Sequence, residues 1–102
     1  MSESQFPALA DLIAKSHVIT LPLNTKFRGL TERELVLIEG TAGWTEWSPF
    51  SEYNDAEAAV WLAAAIEFGF GKIPSPLRNE IPINATLPAI NDRAEIERVL
   101  AR

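Results

Sequence analysis

The stretch "ELVLIEGTAGWTEWSPFSEYNDAE", residues 34–57, changes character twice, and those changes decide the fold. Its first six residues, "ELVLIE", carry apolar side chains at successive positions, so both faces of a strand are apolar and cover is expected on both sides. "GTAG" then supplies the flexible backbone of a hairpin into "WTEWS", which predicts a second strand antiparallel to the first. The stretch ends by starting a helix. Asn54 offers a side-chain oxygen to the first turn, and Glu57, three residues on, stands where it can reach back to the cap. Residues 48–54, with Pro49, Phe50 and Tyr53, are left as the loop between strand and helix.

Downstream, Ala58, Trp61, Leu62, Ala65, Ile66 and Gly69 recur at helical spacing and form one apolar stripe, which the hairpin face can cover; Gly69 and Gly71 are expected to stop the helix. Upstream, residues 7–15 read as a short helix with Leu9, Leu12 and Ile13 on one side and Pro7 in its first turn. "HVITLPL" (17–23) reads as a strand whose Pro22 cannot donate to a ladder and therefore favours an edge or an end, and "NTKFRG" (24–29) as a turn or loop.

"KIPSPLRNEIP" (72–82) holds three prolines in eleven residues and must be a connector. "INATLPAI" (83–90) then reads as a short strand. "NDRAEIERVLAR" (91–102) reads as a helix capped by Asp92, with Glu95 at the box position and Ile96, Val99 and Leu100 on one side. A strand followed by a capped amphipathic helix is the first unit of a repeating βα architecture. The apolar side of that helix has no obvious partner in the sequence. Either the 102 residues are the N-terminal piece of a larger protein, or the βα unit packs on the sheet.

Several function classes are disfavoured. A net charge of −5 gives no reason to bind phosphate backbones, so nucleic acid is not an expected partner. With no cysteine there is neither a disulfide framework nor thiolate chemistry, which suits the cytoplasm. The longest strongly apolar run, residues 58–66, is about half of the ~20 needed to cross a bilayer, and no signal-peptide order appears, so neither membrane nor secretion is indicated. One histidine without HExxH or an Asp-rich loop makes a self-contained metal site improbable. No nucleophile elbow surrounds Ser16, Ser48, Ser51 or Ser75, and the five glycines form no phosphate loop. His17, alone beside apolar residues, reads as packed or hydrogen-bonded. The chain has loops but no catalytic set.

"KFRGLTERELVLIEG" (26–40), "AGWTEWSPFSEYNDAEAAVWLAAAIE" (42–67) and "PINATLPAI" (82–90) resemble the N-terminal part of o-succinylbenzoate synthases of the enolase superfamily. The resemblance implies an α+β fold: an N-terminal capping domain of a three-stranded antiparallel sheet plus helices, over residues 1–80. Residues 81–102 would be the first strand and helix leading into a TIM-like barrel whose remainder lies outside the sequence. It favours the first of the two alternatives above. A Gly-Trp-Gly-Glu followed by Ser-Pro and an aromatic recurs across the superfamily; here Thr45 stands in place of the glycine between Trp44 and Glu46, which puts bulk near the cap's rim.

The resemblance also implies chemistry. Two cap loops, residues 24–29 and 48–54 here, would lie over the open end of the barrel and exclude water. The barrel would supply the lysine that removes the proton α to a carboxylate, the three acidic ligands of Mg²⁺ and a second lysine. The product would be o-succinylbenzoate, a menaquinone precursor. No catalytic or metal-binding residue is expected in this stretch, so the chain alone should be inactive. An N-succinylamino acid racemase or a cycloisomerase of the same superfamily stays open, because fold does not fix function. So does a stand-alone small binding domain.

The candidate substrate-binding residues are Phe27, Arg28, Gly29, Ser48, Phe50 and Tyr53. Arg28 is the sharpest, since a guanidinium can hold a carboxylate through two hydrogen bonds; a salt bridge to Glu32 or Glu46 is the structural alternative. Phe27 can equally plug the junction of cap and barrel, and Phe50 and Tyr53 can merely pin their loop. Trp44 and Trp47 must fall on opposite strand faces, one of them on the helix stripe with Trp61. Glu46 is expected to anchor a neighbouring loop, Asn84 and Thr86 to share one side of their strand, and Arg93, Glu95, Glu97 and Arg98 to form a solvated helix face. The expected partners are a small-molecule carboxylate and the chain's own C-terminal barrel; without that barrel, self-association is expected.

Overall fold

The computed structural model describes residues 6–87 and 89–101. In chain order it contains α1 (Leu9–Ala14), β1 (Ser16–Phe27), β2 (Leu30–Glu39), β3 (Trp44–Trp47), α2 (Asp55–Phe70) and α3 (Arg93–Leu100). The three strands form one sheet in the order β1-β2-β3. β2 and β3 pair antiparallel. β1 and β2 are joined by two residues only, a connection that antiparallel neighbours alone can make. The three-stranded antiparallel sheet with helices expected of a capping domain is present.

Contacts divide the chain into two compact units. One holds the chain up to Thr20 together with Glu34–Pro74; the other holds Leu21–Arg33 and the chain from Ser75 onward.

In the first unit the register fixes the faces. Val36 pairs with Trp47 and Ile38 with Thr45, so these four side chains share one face; Leu37 with Glu46 and Glu39 with Trp44 share the other. The first face meets α2. Ile38 is 1% exposed, and Thr45, Ala65 and Ile66 are buried against it. The Trp47 indole N–H donates to the Ala58 carbonyl at 3.0 Å. Asn54 caps α2 by accepting from the Glu57 N–H at 2.9 Å. The 40–43 turn docks at the far end of the helix, where the Ala42 N–H donates to the Gly69 carbonyl at 2.8 Å.

Several expectations are corrected. The segment 24–29 is not a loop from its start: β1 continues through Phe27, leaving Arg28 and Gly29 as a two-residue turn. Pro22, by contrast, lies inside an edge strand, as its missing donor led one to expect. Gly69 does not stop α2, which ends one residue later and is capped by Gly71. The cover expected on both faces of β2 is found on one: Leu37 stays half-buried and its neighbour across the sheet face, Trp44, is exposed.

In the second unit α3 forms as expected, with Asp92 accepting from the Ala94 N–H at 2.9 Å and an Arg93–Glu97 pair on its exposed side. The strand expected at 83–90 is absent among the described residues, Pro88 lying outside them. A strand requires a neighbour to take its backbone hydrogen bonds. No such ladder engages this segment here.

Candidate functional site

The six candidate residues fall into two groups, one in each compact unit. Phe27, Arg28 and Gly29 form the tip of the β1-β2 hairpin. Arg28 has φ 50° and Gly29 φ 78°, the double positive-φ pattern of the tight turn whose twist matches that of paired strands. Glycine takes this conformation freely; an arginine there is held at a cost of about 1 kcal/mol. Phe27, at the last strand position, is 40% exposed. It lines a cavity of ≈ 420 Å³ with Thr25, Lys26, Arg33 and Thr86, among others. Gly29 lines a second cavity of ≈ 560 Å³ with Lys26, Glu95 and Arg98. Arg28 is a lining residue of neither. Thr86 reaches a cavity wall and Asn84 does not.

The other group lies on the segment between β3 and α2. Ser48 donates to Glu46 Oε1 at 2.5 Å, so the glutamate anchors the root of the loop, as its place between two tryptophans led one to expect. The Tyr53 N–H donates to the Phe50 carbonyl at 3.0 Å and closes a turn. Phe50 and Tyr53 meet edge to face, with ring centroids 5.8 Å apart at 82°. Tyr53 in turn stacks on Trp61 at 6.1 Å and 21°.

Trp61 therefore does not join Trp47 in the core: it is 54% exposed and belongs to the loop's aromatic group. The signal was in the spacing, because at 100° per residue Trp61 sits roughly 80° from the middle of the stripe formed by Ala58, Leu62, Ala65, Ile66 and Gly69. Thr45 is also corrected. It lies in the sheet–helix contact, 6% exposed, rather than at a rim.

His17 is hydrogen-bonded, its Nε2 lying 3.1 Å from Glu39 Oε2. Its ring lies 5.6 Å from that of Trp44, on the sheet face away from α2. The partner is 22 residues distant, beyond the reach of local spacing.

A three-stranded sheet with one face on a capped helix and a loop at each of two strand ends matches a known class. Residues 18–69, which include both loops, match the enolase N-terminal domain-like family, and the chain belongs to that family. Its similar relatives are named o-succinylbenzoate synthase. That of Mycolicibacterium smegmatis is 48% identical over 96 residues, covering 94% of this chain and 30% of the relative. That of Mycobacterium leprae is 47% identical over 96 residues, covering 94% and 28%, and that of Mycobacterium marinum 49% identical over 94 residues, covering 92% and 28%. The chain thus spans less than a third of the length of these relatives.

Proposed function

We propose that this chain is the substrate-capping N-terminal part of an o-succinylbenzoate synthase, enclosing and selecting a small carboxylate-bearing molecule. The observation that carries this reading is the 48% identity over 94% of the chain to a protein of that name. The reaction proposed for the whole protein is a Mg²⁺-dependent dehydration of menaquinone biosynthesis, begun by proton removal α to a carboxylate, in the cytoplasm.

Among the described residues no three His, Asp or Glu side chains come together to hold a cation, so the residues present do not fit a resident Mg²⁺. The metal ligands and both lysines belong, in this reading, to a C-terminal barrel.

The chain's own residues bind and exclude. The Arg28 guanidinium at the hairpin tip takes a substrate carboxylate in bidentate fashion. Gly29 lets the backbone approach the ligand, and Phe27 offers an apolar wall. Phe50 and Tyr53 displace water from the ligand's surface. Ser48, tied to Glu46, fixes where their loop begins.

The test is turnover by the full-length protein, supplied with Mg²⁺, of the dehydration substrate and of N-succinylamino acids. Dehydration as the faster reaction supports the reading. Racemisation alone, or no turnover, overturns it.

A further inference from the structure

We propose that Trp61 is a positioning residue, whose indole holds Tyr53, and through it Phe50, in the conformation that covers the ligand. This rests on the reading of residues 48–54 as a ligand-covering loop. The tryptophan is a large apolar side chain left 54% exposed on a helix whose buried residues are Ala65, Ile66 and Gly69. Its contact is with the loop: the indole stacks on Tyr53, and Tyr53 meets Phe50 edge to face.

The platform under this stack is rigid. α2 is tied to β3 by the Trp47 indole on the Ala58 carbonyl, one turn before Trp61. It is tied to the 40–43 turn by the Ala42 N–H on the Gly69 carbonyl. The loop is fixed at its root by Ser48 and Glu46 and at its end by the Asn54 cap. Its middle, where the two candidate ligand-facing rings sit, leans on Trp61. A contact residue placed through a rigid helix holds its ligand geometry better than one left to the loop alone.

The experiment compares Trp61→Ala and Trp61→Phe in the full-length protein, reading amide hydrogen exchange at Tyr53 and steady-state kinetics with the dehydration substrate. Alanine is the better helix former, so truncation does not weaken α2 itself. Trp61→Leu replaces it should Trp61→Ala lower the yield of folded protein. Losing the stack should speed exchange at Tyr53 by roughly two- to tenfold, with Ile38 and Thr45 unchanged. KM should rise by a similar factor at nearly constant kcat, as for a contact made equally in ground and transition states. Trp61→Phe should restore both. Unchanged Tyr53 exchange in Trp61→Ala, failure of the phenylalanine to restore it, or a fall in kcat at constant KM each overturns the assignment. A wild type without turnover overturns the capping function instead, and the exchange comparison then decides the clamp alone.

Discussion

Gly69 of α2 lies directly against Thr45 of β3: a Cβ added to the glycine would stand 2.6 Å from Thr45 Cγ2 and 3.0 Å from its Cβ. The methyl of the sheet residue occupies the space that the helix residue leaves. This pairing accounts for a threonine where the superfamily pattern has a glycine, since the bulk added on the strand is matched by its absence on the helix. It also accounts for Gly69 inside α2, where glycine costs about 1 kcal/mol relative to alanine.

Gly69→Ala is therefore expected to destabilise by about 1–3 kcal/mol, overpacking outweighing the gain in helix propensity. Thr45→Gly in the same molecule should relieve most of that cost. Denaturant midpoints of the two single variants and the double variant measure the coupling, and additive effects would show that the two residues do not share this space.

The Arg28 backbone leads to the second prediction. Its φ of 50° favours Asn or Gly, so Arg28→Asn should raise stability by about 0.5–1 kcal/mol. The same change removes the guanidinium, and a charge-assisted contact of ~1.5–3 kcal/mol corresponds to a rise in KM of roughly 10- to 100-fold. Melting temperature and KM should thus rise together, stability being gained as substrate binding is lost. If KM stays constant while stability rises, Arg28 does not contact the substrate.

The cap of α2 gives a third. Asn54→Ala leaves the Glu57 N–H without its partner and should cost about 1 kcal/mol, whereas Asn54→Asp should cost little, because aspartate caps as well and favours the positive end of the helix. Chemical denaturation of the two variants checks the difference, and equal losses would mean that the cap contributes by shape rather than by its hydrogen bond.

These elements also show what the sequence could and could not disclose. The 34–57 stretch disclosed the last six residues of β2, all of β3 and the start of α2, because the strand pattern, hairpin glycines and capping residues are local signals, whereas the mostly polar start of β2, residues 30–33, carries none of them. The end of β1 was misplaced by four residues: polar Asn24, Thr25 and Lys26 look like loop, and only the edge position of β1 lets polar residues continue the strand. The strand expected at 83–90 rested on residue type and on the family resemblance, and neither supplies a neighbour within this chain. At the candidate site, the loop between β3 and α2 was legible, but the Tyr53–Trp61 stack was not, because the stripe rule assigned Trp61 to the core. The His17–Glu39 contact depends on strand pairing and lies outside any local pattern.

The last prediction concerns the 102-residue chain produced by itself. Leu77 is fully exposed, Ile83 is 95% and Ile81 72% exposed, and all three lie within a dozen residues of one another in the second unit. Each such side chain would gain about 1.5–3 kcal/mol by leaving water, and exposed apolar side chains of this size favour association. Light scattering should therefore show a mass that rises with protein concentration. Ile81→Glu with Ile83→Glu should return it towards the monomer, because charge at both positions makes burial costly without touching the buried residues of the first unit. The full-length protein, in which polypeptide beyond this chain can cover the same side chains, should show no such dependence on these two positions. A monomer at every concentration would mean that these side chains find cover within the chain in solution.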